Sequence, residues 1–498
     1  MTDGRATDAL DCDLCIVGAG YAALNALNAA AKYLDKGARI VVIDKNTTWG
    51  GQWLHQYDFV RLHQPYRMFT AGDQRWTLDR DPSHLATRRE VLDHLGSVHA
   101  ISARQLEIKP LFGHVYNGHS LREGRVEVLA SETSGTKLPK RIRAKRLLNG
   151  IGIDVQPLPP FSLSSSRVRS VAPSDPVLAE PEFLQSQAPV YIIGSGKTAM
   201  EVARHVIQHR SGQRRELNVI AGSGMWFLVR DNLYPPGAQR YLGGTLNSDV
   251  FLTMCEQYNG HNDDEIMERF RRKGYVHTVW GSGGNCRLGL LSIDERDEVR
   301  AGVDRVFHGH LLDVEGTTMT VRTDGAVQTH KVPEGAWFIN CTTHFSQQAA
   351  HQPVLQDSGL VCAPQHALGL TGTSAYILTH MWMRGELGAV AHELFRMRID
   401  VQPKVRFATN LGLMAMANLA MINAHLPLKI IAGFEGDYNK WYPAYRRVPL
   451  MARMIKNRRM LLEKAARILR LRFSDSPDPD LEQLSAAAPV LGTRAAVC

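Results

Sequence analysis

The stretch LCIVGAGYAALNALNAA, residues 14–30, decides how this chain folds. Its first four residues form a short apolar run suited to a buried parallel strand, and alanine-rich helical sequence follows from residue 22 to residue 34. Between them stands GAGYAA at residues 18–23. Gly18 permits a tight turn, Gly20 lets the backbone approach a pyrophosphate, and Ala23 lets the helix pack close to the strand. The exposed N–H groups and dipole of such a helix favour a diphosphate, by about 0.3–1 kcal/mol for the dipole alone. RIVVI at residues 39–43 supplies the next strand, which ends at Asp44 and Lys45. An acid about 20 residues beyond the glycines accepts hydrogen bonds from ribose hydroxyls. Strand, turn, helix, strand and acid stand in register, which sets this stretch apart from an incidental Gly/Ala loop.

A second turn, GSGKTA at residues 194–199, follows another apolar strand, VYII. It resembles the end of a P-loop, but the glycine which that motif needs five residues before Gly196 is Tyr191. The helix TAMEVARHVI begins at once, so Gly194, Ser195, Gly196, Lys197 and Thr198 read as a second dinucleotide turn. The next strand, residues 217–220, ends in Ala221 and Gly222 with no acid for a free ribose 2′-hydroxyl. With Lys197, Arg214, Arg215 and Arg230 near in sequence, this favours a 2′-phosphate, hence NADPH over NADH. Two such turns in this order point to FAD held throughout and a nicotinamide cofactor that comes and goes. The expected fold is α/β, with two Rossmann-like dinucleotide-binding domains, the NADPH domain inserted in the FAD domain, and a C-terminal helical extension.

The chain of 498 residues, 44% hydrophobic and 21% charged, has the composition of a globular protein of two or three domains. Its seven cysteines are scattered and odd in number, unlike a secreted disulfide framework. Cys12 and Cys15 form a CxxC, but one entering a buried strand, where a structural role outweighs a redox one. The start, MTDGRATDALDCD, has no apolar signal region, so a cytoplasmic location is expected. The first domain is expected over residues 10–155 and 336–385, with WFINC at 337–341 as a strand returning to its sheet. Pro- and Ser-rich residues 157–181 read as a linker. The second domain is expected over 188–335, with an insertion at 231–299 and a hairpin over 311–321. No nucleic-acid partner or metal site is expected.

Between the two turns stand WGGQW at residues 49–53 and YDFVRLHQP at residues 57–65. With both glycine motifs, this pattern resembles the class B flavoprotein monooxygenases: the flavin-containing monooxygenases, their Baeyer–Villiger relatives and the plant YUCCA branch. Resemblance to the last rests on the Leu62-His63 pair and on the similarity of PVYIIGSGKTAMEV to the family's second turn. The resemblance implies FAD and NADPH as cofactors and a small organic substrate with O2. Hydride passes from NADPH to FAD, dioxygen adds to the reduced ring, and the peroxyflavin transfers one oxygen atom. By the same resemblance Gly51, Gln52 and Trp53 line the flavin and His63 takes the place of a flavin-side Asn. His63 could then donate a hydrogen bond to the flavin or its peroxide, or be a packing histidine. Arg61 could balance charge on the reduced ring, or be a surface ion-pair residue. The chain departs from the family where Leu163 and Arg167 replace a glycine and a histidine of its linker signature, where Ser223 replaces a basic residue, and where Cys341-Thr342-Thr343-His344 replaces ATGY. Two other functions fit the same residues: an NADPH-driven flavin reductase or oxidase yielding hydrogen peroxide, and a nucleotide-binding regulatory protein without turnover.

Other segments are not explained by the resemblance. HALGLTGTSAYILTHMWM at residues 366–383 reads as a glycine-rich turn leading into a helix, with Thr371, Gly372, Thr373 and Ser374 facing the flavin or the helix serving only the core. Residues 386–475 read as the helical extension, within which 411–426 is a buried helix too short and polar to span a bilayer. Residues 451–473 alternate apolar and basic residues at helical spacing, and supply most of the formal net charge of +9. Such a helix can lie on anionic lipid as a peripheral membrane contact, or dock with a solvated basic face. Residues 476–498 read as a disordered tail.

Overall fold

The computed structural model describes residues 9–135, 138–152, 159–209, 215–281, 283–342, 352–364, 367–395 and 405–473, with backbone alone at 428 and 469–473. The apolar end of β1 (Leu10–Val17) is buried on both faces, as the centre of a parallel sheet requires. The helix α1 (Tyr21–Ala30) crosses over to β2 (Arg39–Asp44), parallel to β1, and α2 (Arg88–Ser102) leads to β3 (Glu107–Phe112), parallel to β2. The antiparallel strands β4 (His114–Arg122) and β5 (Arg125–Glu132) then run into β6 (Lys140–Asn149), which lies parallel to β1 on its other side. Buried alanines 22, 23, 26, 29 and 30 give α1 a thin face against the sheet. Cys12 and Cys15 are buried free thiols, and burial pushes the Cys12 thiol up to about 12. They are packing residues.

The second sheet is parallel throughout. It holds β7 (Arg169–Val171), β8 (Val190–Ile193) and, after the helix α3 (Lys197–Gln208), β9 (Leu217–Gly222). The chain then leaves through β10 (Met225–Val229), α4 (Gln239–Leu242), α5 (Asn247–Gln257), β11 (Val276–Thr278) and β12 (Asn285–Leu291), of which the strands form a separate three-stranded sheet. After α6 (Ile293–Gly302) it re-enters the second sheet as β13 (Arg305–His308), and β14 (His310–Glu315), β15 (Thr318–Thr323) and β16 (Ala326–Lys331) form a meander containing the expected hairpin. Next comes β17 (Trp337–Asn340). It pairs with β8 and β7 in the second sheet, not with the first sheet as its place in the sequence suggests. Part of the expected linker, as β7, also belongs to this sheet, so the second unit begins earlier and ends later than the sequence implies. The chain rejoins the first sheet only at β18 (Leu355–Gln356) and β19 (Val361–Cys362), the latter parallel to β6.

The helix α7 (Thr371–Met383) lies across α1, and the C-terminal helices α8 (Arg406–Ile422), α9 (Ala444–Lys456) and α10 (Arg458–Phe473) follow. The amphipathic stretch expected as one helix is broken at Asn457 into α9 and α10. The segment 231–299, expected as an insertion, packs against the C-terminal helices. Its α5 packs on α8, Lys464 donates to the Cys255 and Glu256 carbonyls at 2.8 Å each, and Arg453 pairs with Asp249 and Glu256.

The turn after β6 fits so tightly against α1 that a Cβ at Gly150 would lie 2.9 Å from both Cα and Cβ of Ala23. Gly150→Val is therefore expected to cost about 1–3 kcal/mol of overpacking, read as a lower midpoint in thermal unfolding. An unchanged midpoint would show that helix and turn part freely.

Candidate functional site

The two glycine turns are built alike. Gly18 and Gly194 have φ of +100° and +115°, where an L side chain is strained. The Gly18 N–H donates to Ile43 O at 2.7 Å and the Gly194 N–H to Ile220 O at 2.9 Å. A Cβ at Gly18 would stand 3.0 Å from Gly150 O, and one at Gly194 2.9 Å from Cys341 O. The strands opposite also correspond: the N–H groups of Gly150 and Cys341 each donate at 2.8 Å, to Val17 and Ile193. Asn149 and Asn340 each accept from the N–H two residues on, at 3.2 Å. Both helices start at a glycine, Gly20 and Gly196, with no side-chain cap and no acid in the first turn. By contrast α2 and α6 carry complete capping boxes, Thr87 with Glu90 and Ser292 with Glu295. The first N–H groups of α1 and α3 are thus left for an anion.

Beyond this common frame the turns differ. The Asp44 carboxylate accepts from the N–H groups of Ala19 at 2.6 Å and Asn46 at 2.8 Å, one on each oxygen, and each oxygen keeps a lone pair for a ribose hydroxyl. The matching residue of the second unit is Ala221, whose carbonyl accepts from the Ser195 hydroxyl at 2.7 Å. Just past it, Ser223, which replaces a basic residue, and His310 approach to 3.4 Å, and His310 is a polar group that sequence reasoning did not find at this position.

Residues 50–63 join the two turns. At one end Gly51 lies against Gly20, where a Cβ would meet the other glycine's Cα at 2.7–3.2 Å. At the other end Tyr57 donates to Glu201 of α3, Phe59 stacks on His205 at 4.0 Å, and His63 Nδ1 accepts from the Leu290 N–H at 3.1 Å. With Nδ1 an acceptor, a neutral His63 carries its proton on Nε2. Around it lies a charge cluster: Lys197 with Glu201 at 3.4 Å, Arg230 with Glu295 at 2.8 Å, and Arg204 bridging Glu295 at 2.9 Å and Glu298 at 2.6 Å. Burial, then Lys197 and Arg230, pull the half-buried His63 down to about 3, against Glu295. Burial opposes ionisation of Glu295, but Lys197 and Arg230 overcome it and hold that carboxyl at about 2. At Glu201 burial wins over Lys197 and Tyr57, and its pKa is raised.

Not all of the other residues expected in the site face it. Arg61 is exposed, its guanidinium donating to Leu85 O at 3.4 Å, because the alternation that buries Val60 and Leu62 turns it outward. Lys45 and Gln52 are exposed, whereas Trp53 is buried with its Nε1–H unpartnered among the described residues. Arg215 is structural: it donates to the carbonyls of Ala188 and Phe183 at 2.7 and 2.8 Å. Arg214, Thr343, His344 and His366 lie outside the described residues. The space beside Gly372 is taken by Tyr21, whose ring carbon is 2.2 Å from where a Cβ would stand, so this glycine serves helix packing. Thr371 and Thr373 flank it half-buried, and the Ser374 hydroxyl accepts from the N–H groups of Ala367 and Leu368. Thr198 is half-buried at the start of α3. Glu201 and Glu295, central to the cluster, were missed; the sequence signals were the i,i+4 spacing of Lys197 and Glu201 and the capping box at 292–295.

A histidine depressed to about 3 binds its proton in the unfolded chain near 6.5 and in the folded chain only below that. Its contribution to stability is complete above 6.5 and is lost as pH falls towards 3, with a slope of at most about 1.4 kcal/mol per pH unit. The His63 ring resonances are expected to keep neutral Nε2–H shifts from pH 8 to pH 5, and His63→Gln should flatten the acid limb of stability. Titration of His63 near pH 6.5 would refute this environment.

No family model matches the chain. Uncharacterised proteins of Mycobacterium tuberculosis and Mycobacterium bovis are 25% identical to it over 401 residues, covering 77% of this chain and 70% of theirs. Among solved structures, a flavin-containing monooxygenase from Stenotrophomonas maltophilia is 14% identical with a TM-score of 0.46, over 76% of this chain and 99% of that one. An oxidised steroid monooxygenase bound to NADP is 13% identical with a TM-score of 0.48, over 77% of this chain and 85% of that one. A bacillithiol disulfide reductase from Bacillus cereus is 11% identical with a TM-score of 0.41, over 76% and 99%.

Proposed function

We propose that this chain is an FAD- and NADPH-dependent monooxygenase that inserts one oxygen atom from O2 into a small organic substrate. The observation that carries this reading is the pair of uncapped glycine turns, alike in their hydrogen bonds and joined by residues 50–63. The first turn fits FAD: Gly18 and Gly20 let the turn close on the backbone of Gly150 and Gly51, the start of α1 has no side-chain cap and is left for a diphosphate, Asp44 keeps lone pairs for a ribose, and the buried Trp53 Nε1–H has no partner among the described residues. The second fits NADPH: Gly196 leaves its flank open, with no atom closer than 3.9 Å to a Cβ there, and no acid at Ala221 opposes a 2′-phosphate. When bound, flavin accepts hydride from the nicotinamide and activates dioxygen. The chain's own part is to hold the two cofactors, to exclude water, and to present a neutral donor at His63 Nε2. The Tyr57 hydroxyl donates to Glu201 at the second turn, beside Lys197.

A second reading, an oxidase that releases hydrogen peroxide, is favoured by one observation. Arg230, expected to hold a phosphate, is already paired with Glu295, which weakens the grip on the nicotinamide cofactor.

Purified protein is expected to be yellow and to bleach with NADPH. Gly18→Val should purify colourless, whereas Gly196→Val should keep its colour and its reduction by dithionite while reduction by NADPH slows at least about tenfold. Loss of FAD from folded Gly196→Val would mean that the two sites are assigned the wrong way round.

His63→Ala tests the part played by this histidine. A donor aimed at developing charge is worth on the order of 10²–10³ in rate. The variant should accept hydride from NADPH at near-normal speed but divert turnover from product into hydrogen peroxide. Unchanged coupling in flavin-loaded His63→Ala would reduce this histidine to a packing role.

A further inference from the structure

The helix α9 has two unlike sides. On one, Leu450 and Met454 are buried, and Arg446 donates to the carbonyls of Gly243 and Gly244. On the other, Tyr445 is 60% exposed, Val448 62%, Met451 41% and Ile455 72%. At 3.6 residues per turn these four fall, with Ala452 and Lys456, within an arc of roughly 140°. The Tyr445 hydroxyl donates to the Tyr241 carbonyl, which ties α4 to the N-terminal end of α9. There Tyr241 and Leu242, 45% and 94% exposed, extend the apolar surface. Apolar side chains gathered in this way mark a contact site, while scattered ones do not.

We propose that this face, made by α9 and α4, docks on an anionic phospholipid surface. Its charge points to that occupant. Residues 442–462 contain no Asp or Glu, and exposed Lys456, Arg458 and Arg459 stand at one end of the apolar side. Of these, Arg459 pairs with Glu463 at 2.7 Å. Apolar side chains that enter the headgroup region beside cations that meet anionic lipid are the two components of interfacial binding. A second copy of the chain fits less well, because a symmetric contact would set these cations against one another with no acid in the segment to pair them. Among the described residues no helix is long and apolar enough to cross a membrane, so the contact is with the surface alone.

The test is co-sedimentation of the full chain with vesicles of phosphatidylcholine alone or mixed equally with phosphatidylserine. Partitioning is expected to be at least about tenfold stronger on the mixed vesicles, and to weaken as salt is raised. Leu242→Asp combined with Ile455→Asp should remove the binding while leaving the thermal midpoint unchanged, since both side chains face solvent. Binding by this variant equal to that of the unmodified chain, or no binding of the full chain to the anionic vesicles, overturns the proposal. So does binding that appears only after removal of residues 474–498, which would show the chain's own C-terminal stretch covering the face. A concentration-dependent dimer that the same double variant dissolves would assign the face to a second copy instead.

Discussion

The constraint on which the rest depends is the approach of two backbones at each glycine turn. At Gly18 the carbonyl of Gly150 is 3.0 Å from where a Cβ would stand, and at Gly194 the carbonyl of Cys341 is 2.9 Å away. Neither turn could accept a side chain without moving the strand opposite, and that strand is hydrogen-bonded into the sheet. The left-handed φ of each glycine aims the chain off the strand and into the helix, so the helix N-terminus opens at the carboxyl edge of the sheet. The same bonds recur in both units, so their two openings share one local frame, and they differ in side chains and in the backbone of Gly51 that closes on Gly20 alone.

Those differences meet along residues 50–63. This segment starts against Gly20 and ends with His63 bonded to Leu290, so it ties the first turn to the second unit directly. Its receiving end is unusually fixed. Leu288, two residues before the N–H that meets His63, has φ of +58°, a conformation that costs a non-glycine residue roughly 1–2 kcal/mol. Partly buried strain of that kind is kept where the surrounding structure determines it, and here it accompanies the bulge between β10 and β12. Three cations, Lys197, Arg204 and Arg230, and three carboxyls, Glu201, Glu295 and Glu298, stand around a neutral imidazole, and the burial that raises the Glu201 pKa lessens the negative charge beside Lys197.

How much of this was legible in the sequence divides along physical lines. Each turn could be read because strand, glycines and helix are local, and the missing acid at Ala221 could be read for the same reason. The membership of Trp337–Asn340 could not, because an apolar strand pairs equally well in either sheet and the choice is set by distant partners. A signal did exist: Asn149 and Asn340 hold the same position relative to their turns, and this repeat assigns β17 to the second unit as surely as β6 belongs to the first. Arg61 and Arg215 could not be placed from charge alone, since guanidinium groups find carbonyls wherever the fold offers them. Glu201 and Glu295 were missed because Tyr57, Arg204 and Arg230 reach them from far away in sequence, although Lys197 stands only four residues from Glu201.

The C-terminal helices bear on the site through one loop. Residue 230 places its guanidinium on Glu295, and the chain that follows it is held at Asn232, Leu233 and Thr245 by carbonyls 3.0–3.1 Å from the Tyr442 hydroxyl. Gly244, at φ +72°, leaves the room for that hydroxyl, which would otherwise stand 2.4 Å from a Cβ. A hydroxyl has one proton to offer three carbonyls, so it fixes the loop by shape as much as by bonding. Arg446 secures the far end through the carbonyls of Gly243 and Gly244. The extension is therefore part of the scaffold that positions Arg230, and with it the field felt by His63. A change in the seating of α9 reaches Arg230 through the Tyr442 hydrogen bonds and the few residues between 230 and 233.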